Sequence, residues 1–245
     1  MAPEDPENAR GVFLTAEWRD LAMLNYEVDP GLLLKLVPMG TELHSWNGKT
    51  FISLVGFRFL KTKVWGISLP FHRNFEEVNL RFYVRRPEGD RVRRGVVFIR
   101  EIVPRGLIAA VARTFYNERY VALPMSHQVG RDGCRLAVEY AWKSGPLRNR
   151  IKVTAQGNPA LPETDSEEQF ITEHYWGYAA QEDGGCIEYQ VQHPPWKVLT
   201  ATEATFGGDM EEFYGKELNA MLKRPPTSAF LAEGSAVSVH RGRRL

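Results

Sequence analysis

The chain is poor in the residues and motifs that usually announce a reaction. It has two cysteines, Cys134 and Cys186, far apart and outside any paired motif, which argues against a disulfide framework and against a cysteine zinc site. Two such thiols fit a reducing compartment, and the expected location is cytoplasmic. The acidic start Met1-Ala2-Pro3-Glu4-Asp5 has no apolar core segment and does not read as a signal peptide. Apolar runs such as Val96-Val97-Phe98-Ile99 are too short to span a bilayer, so no membrane partner is expected. Charge of one sign is scarce too. The formal net charge is +1, which leaves no global field for nucleic acid. The one concentrated positive run, His240-Arg241-Gly242-Arg243-Arg244, reads as a solvated basic tail over residues 241–245.

The reaction signatures are absent as well. No Gly-rich phosphate loop ends in Lys-Ser/Thr, no dinucleotide fingerprint opens a helix, and there is no Gly-x-Ser-x-Gly elbow. No His-Glu-x-x-His helix occurs, and the six histidines at 44, 72, 127, 174, 193 and 240 are scattered, so their spacing supports no metal site. Neither a metal nor a cofactor is expected.

What remains is an ordinary globular chain of 245 residues with 43% hydrophobic and 25% charged residues. Residues 1–10 are polar and Pro-rich and read as a flexible arm. Residues 11–240 read as one domain, with no internal repeat and no convincing linker. Asp29-Pro30 caps a short helix over Gly31–Val37 that stops at Pro38. Asn47-Gly48 marks a type I′ hairpin turn between Thr41–Trp46 and Lys49–Phe59. The next strand, Glu77–Arg85, alternates cleanly: Val78, Leu80, Phe82 and Val84 share one face, and Glu77, Asn79, Arg81 and Tyr83 the other. Glu88-Gly89-Asp90 turns the chain into a partner strand over Gly95–Val103. Apolar residues at helical spacing predict a helix over Gly106–Glu118 packed on the sheet. Further strands are expected near 119–128, 134–143, 148–156, 171–180, 186–192, 196–206 and 227–240, and short helices before 168 and near 209–222.

Several segments in this order carry a resemblance. They are Asp29-Pro30-Gly31, Leu36–Leu43, Trp46-Asn47-Gly48-Lys49, Val55-Gly56-Phe57-Arg58, Phe75–Arg85, Phe170–Tyr175 and His193-Pro194-Pro195-Trp196. Together they resemble the bacterial domain of unknown function 2071 family, placed in the acetoacetate decarboxylase-like superfamily. The resemblance implies an α+β, β-rich fold in which curved antiparallel sheets form a barrel or cone around a pocket, with a few outer helices. The decarboxylase forms a Schiff base through a lysine whose pKa a second lysine lowers. In the best register those positions fall on Arg119 and Tyr120, after Phe115-Tyr116-Asn117-Glu118, and no lysine occurs between Lys63 and Lys143. Arginine stays protonated and does not serve as an amine nucleophile. The resemblance supports the fold, while the residues argue against lysine-dependent decarboxylation.

The candidate ligand-binding residues are Arg58, Glu77, Asn79, Arg81, Tyr116 and Arg119. Glu77 resembles a pocket glutamate of the decarboxylase and is the candidate acid or base; Arg81 is the candidate carboxylate clamp. The same stripe also reads as an exposed sheet face with cross-strand ion pairs. Arg58 is either a structural ion-pair partner or an anion contact, and Tyr116 and Arg119 either pack a helix end or line the pocket. His174 and Tyr175 read as satisfied polar groups, His193–Trp196 as a rigid turn, and the six tryptophans mainly as core. Three functions stay open. One is a domain binding a small carboxylate or other polar metabolite, and another an acid/base enzyme on a carbonyl or carboxylate compound. The third is an interaction protein with a vestigial pocket.

Overall fold

The computed structural model describes residues 11–68, 70, 72–106 and 120–245. The expected arm over 1–10 and most of the expected helix over 106–118 lie outside the described residues. β-branched and aromatic residues in period-two runs fill long strands. The first strands are β1 (Val12–Val28), β2 (Glu42–Leu43), β3 (Thr50–Val64), β4 (Phe75–Glu88), β5 (Arg91–Val103) and β6 (Tyr120–Ala122). A meander follows: β7 (Met125–Asp132), β8 (Arg135–Ser144) and β9 (Leu147–Gln156). After helix α1 (Glu167–Thr172) come β10 (Trp176–Ala180), β11 (Cys186–Gln192) and β12 (Val198–Gly207). Two short helices, α2 (Glu211–Tyr214) and α3 (Lys216–Leu222), precede β13 (Ser228–Ala232), β14 (Ala236–His240) and β15 (Arg243–Arg244).

The strands pair in the order β14-β11-β10-β5-β4-β3-β1-β13-β12-β9-β8-β7, and β1 pairs β14 as well. That last pairing closes β1, β3, β4, β5, β10, β11 and β14 into a barrel. β13, β12, β9, β8 and β7 extend from β1 as a second sheet, while β2, β6 and β15 pair the barrel strands β4, β5 and β11. β1 serves both because it bends. Its first half, Val12–Glu17, pairs β14, and Leu21–Asn25 pairs β13. Between them Asp20 has φ 55° and the register against β3 shifts, the kind of irregularity that turns a strand at a barrel corner. The sheet is mixed. β5 pairs β10 and β6 in parallel, and the other named pairings are antiparallel.

Two cores follow from the alternation. Val78, Leu80, Phe82 and Val84 point out of the barrel onto Val138, Tyr140, Trp142, Ile151 and Val153 of the second sheet. Gly56 permits that contact, since a Cβ there would lie 2.5 Å from Ile151 and 2.6 Å from Tyr140. The other faces of β1, β3 and β4 gather Leu21, Val55, Phe57, Phe59 and Phe75 inside the barrel. Fully burying one such side chain stabilises by about 1.5–3 kcal/mol.

Some local expectations change. The helix after Asp29 is two single 3₁₀ turns, Pro30–Leu32 and Leu34–Leu36. Asp29 does cap, accepting from the Gly31 N–H at 2.8 Å, but Val37 is already extended before Pro38, as a residue preceding proline must be. Asn47 and Gly48 both have positive φ, 48° and 77°, as a type I′ turn requires. Residues 171 and 172, expected to begin a strand, close α1 instead, with Ser166 accepting from the Gln169 N–H. The C-terminal run is no frayed tail. β15 pairs β11, and Arg243 reaches Glu188 and Glu88. No described helix is long and apolar enough to cross a membrane.

Candidate functional site

The barrel holds a cavity of about 150 Å³, and the alternation of β4 decides what reaches it. Glu77, Asn79 and Arg81 point inward and line it. All three are buried, at 2%, 1% and 9% exposure. Their neighbours on β3 are Phe57, Val55 and Ser53. On the other side, β5 carries a bulge: Leu80 pairs Arg100 but Arg81 pairs Phe98, so Ile99 is the extra residue. The bulge reverses the phase of the strand. Phe98 and Glu101 therefore both line the cavity, although strict alternation would put them on opposite faces. Tyr120 on β6 lies beside Glu101 and also lines the cavity.

The polar end is linked but not closed. Asn79 Nδ2 donates to Glu77 Oε1 at 2.9 Å, and the Tyr120 hydroxyl donates to Glu77 Oε2 at 3.1 Å. Arg81 Nη2 donates to the Ile171 carbonyl at 3.4 Å. Asn79 Oδ1 and Arg81 Nε are buried without a hydrogen-bond partner among the described residues, an arrangement that costs free energy unless something completes it. Burial pushes the Glu77 carboxyl up to about 7, against the opposing pull of Asn79, Tyr120 and Arg81. Burial, then the charges of Glu101 and Glu77, hold the Tyr120 phenol well above its ordinary range. Burial lowers His193 to about 4 and holds His174 well below its ordinary value, the latter with help from His44, Arg81 and Arg94. At neutral pH His193 and His174 are therefore uncharged.

Aromatic rings make most of the remaining wall. Trp18 meets Phe57, Phe59 and Trp196 edge-on, with centroids 5.2, 5.7 and 6.1 Å apart. Phe59 stacks on Phe75 at 4.6 Å, and His193 stacks on Trp196 at 4.1 Å. His193 and Trp196 thus form more than a rigid turn, and Trp18 more than core, because all three line the cavity.

The remaining candidates lie elsewhere. Arg58 is not among the lining residues; it forms an ion pair with Asp20 through Nε (2.9 Å) and Nη2. Its partner is supplied by the bend in β1. Tyr116 and Arg119 lie outside the described residues. His174 lines the cavity and contacts His44, Nε2 to Nδ1 at 3.1 Å. Sequence reasoning missed Glu101, and no local pattern marks the bulge that turns it inward. Among the described residues no group of three His, Cys, Asp or Glu side chains comes together as a metal site.

Among the described residues no lysine lines the cavity. Residues 107–119, which are not described, contain none either.

Known proteins share this architecture. Acetoacetate decarboxylase from Legionella pneumophila superposes with a TM-score of 0.65 at 12% identity, covering 100% of this chain and 92% of that one. The enduracididine biosynthesis enzyme MppR, complexed with pyruvate, gives 0.67 at 13% identity over 98% and 93%. An acetoacetate decarboxylase-like enzyme from Sphingomonas wittichii RW1 gives 0.64 at 12% over 96% and 94%. The fold is therefore acetoacetate decarboxylase-like. In sequence the chain is 27% identical over 188 residues to the uncharacterised protein YqjF of Bacillus subtilis (strain 168), covering 75% of this chain and 74% of that protein. The model of domain of unknown function 2071, described as an uncharacterised conserved protein, matches residues 15–236. With its motifs, its barrel and that match across most of its length, the chain belongs to the domain of unknown function 2071 family.

Proposed function

We propose that this chain is a small-molecule-binding domain whose barrel cavity takes a carboxylate, held by Arg81 with Asn79 and Glu77 beside it. One observation carries the reading: a buried guanidinium faces the cavity with Nε unpartnered among the described residues. A cation removed from water needs an anionic or hydrogen-bonding partner, and a carboxylate fits a guanidinium fork. The pyruvate bound in a protein of similar fold supports the same ligand class. The setting proposed is cytoplasmic, consistent with the exposed unpaired Cys134.

Native mass spectrometry of the purified chain tests this. The expected result is a co-purified carboxylate on the wild type and its loss from Arg81→Ala, with the barrel intact by circular dichroism. Loss of a charge-assisted hydrogen bond is worth about 1.5–3 kcal/mol, roughly ten- to a hundredfold in affinity. A ligand retained at equal affinity by Arg81→Ala would refute the clamp.

Glu77 favours a second reading, acid/base catalysis on a carbonyl or carboxylate compound. A carboxyl near pH 7 beside the Tyr120 hydroxyl is suited to giving and taking a proton. Either way the reading excludes a lysine Schiff base. Borohydride treatment with acetoacetate should leave no adduct, and a trapped lysine would overturn that exclusion.

A further inference from the structure

The charged and amide side chains of the cavity are grouped on neighbouring strands, and much of the remaining wall is apolar. Glu77, Asn79, Arg81, Glu101 and Tyr120 come from β4, the adjoining part of β5, and β6. β1 contributes Phe13, Leu14, Trp18 and Leu21, and β3 contributes Val55, Phe57 and Phe59 before its polar Thr62. A three- or four-carbon keto acid on Arg81 would leave most of this apolar surface uncovered. An apolar cavity of about 150 Å³ holds one benzene ring, and this one has about that volume. Its walls also suit a ring. Trp18 presents edges to Phe57 and Phe59, and Phe59 and Phe75 lie stacked at 4.6 Å, so both faces and edges of aromatic systems are available for offset or edge-on contact.

We infer that the ligand is a one-ring aromatic carboxylate, with its carboxylate on Arg81 and its ring among Trp18, Phe57, Phe59, Phe75 and Phe98. This rests on the carboxylate reading of the same cavity and adds the ring and its size. Arg81 and Phe98 are partners across β4 and β5, so the charged clamp and one wall of the aromatic compartment adjoin. A fused two-ring acid is larger than the single ring that such a volume holds. Asn79 Oδ1, buried without a partner among the described residues, is an acceptor for a ring hydroxyl, so hydroxylated benzoates should bind at least as well as benzoate itself.

Titration of the full chain with benzoate, acetate, pyruvate, toluene and 2-naphthoate, followed by calorimetry, tests this. Burying a ring against aromatic walls should make benzoate bind about 10- to 100-fold tighter than acetate or pyruvate. 2-Naphthoate should bind more weakly than benzoate. Arg81→Gln should weaken benzoate about tenfold or more and leave toluene unchanged. Pyruvate binding as tightly as benzoate would overturn the ring while leaving the carboxylate reading intact. Toluene matching benzoate, with Arg81→Gln indifferent to both, would overturn the carboxylate reading and this inference with it. 2-Naphthoate matching benzoate would overturn the one-ring limit, and no binding by any probe would overturn the inference outright. If Arg81→Gln does not fold, the ranking on the wild type still decides.

Discussion

Glu77 and Glu188 are both buried on strands of one barrel, at 2% and 1% exposure, yet their surroundings differ. Glu188, on the outer face of β11, accepts from Arg93 Nη1 at 2.5 Å, Arg243 Nε at 2.8 Å, Tyr178 at 3.0 Å and Arg86 Nη1 at 3.1 Å. Glu88 joins the same three arginines. Glu77, inside the barrel, has an amide and a phenol as its hydrogen-bond donors, and Arg81 acts on it without forming an ion pair among the described residues. A buried carboxylate surrounded by guanidinium donors ties strands together. One held by neutral donors sits near the point of protonation. The contrast separates a carboxylate that ties strands together from one that faces a cavity.

The largest effect should come from Glu188. Glu188→Ala leaves Arg93 and Arg86, at 9% and 18% side-chain exposure, without the carboxylate they share. Removing one partner of a buried ion cluster costs about 3–5 kcal/mol. Urea denaturation should show a loss near the lower figure, because Arg86 and Arg243 keep some solvent. A loss below about 1 kcal/mol would erase the distinction between the two glutamates.

Glu77→Gln should act in the opposite direction, and only at high pH. The folded state raises this carboxyl from 4.5 to about 7, so folding favours the protonated form. The stability tied to that proton is fully present below pH 4.5 and is lost as pH rises through 7. The wild type therefore carries a penalty of roughly 3 kcal/mol at pH 8 that a neutral glutamine does not. Stability curves of the two proteins should nearly coincide at pH 4 and separate toward pH 8, with the variant more stable. Equal stability at both pH values would mean that Glu77 is ionised at little cost, and its likeness to an acid/base group would fail.

The two glutamates were unequally legible. Strict alternation over 77–84 marks an apolar face that must pack, and the structure turns Glu77, Asn79 and Arg81 to the other side, into the cavity. Asn47-Gly48 marks its turn because few other pairs accept two positive φ angles. Glu101 was hidden by a bulge, and the ion pair of Arg58 depends on Asp20, whose φ of 55° nothing local foretells. The Glu188 cluster escaped because its arginines come from β4, β5 and β15, where each reads as one more surface charge. Closure of the barrel was hidden for the same reason, since β1 meets β14 across almost the entire chain. Local period gives faces; pairings remote in sequence decide what those faces meet.

The C-terminal strand gives the finest test of the comparison. Arg243 donates to Glu188 at 2.8 Å and to Glu88 at 3.1 Å from a side chain 24% exposed. Its removal leaves Glu188 with Arg86, Arg93 and Tyr178, so no buried carboxylate is stranded, and the cost reduces to that of a partly exposed pair. Arg243→Ala should therefore cost about 1 kcal/mol, well below Glu188→Ala. β15 would keep its pairing to β11, and the Leu245 N–H its bond to the Cys186 carbonyl at 2.8 Å. Hydrogen exchange at those amides should quicken only modestly. A loss as large as that of Glu188→Ala would make the last strand, rather than the carboxylate, the element on which this side of the barrel depends. In that case shortening the chain by its last three residues should destabilise the barrel as much as either substitution.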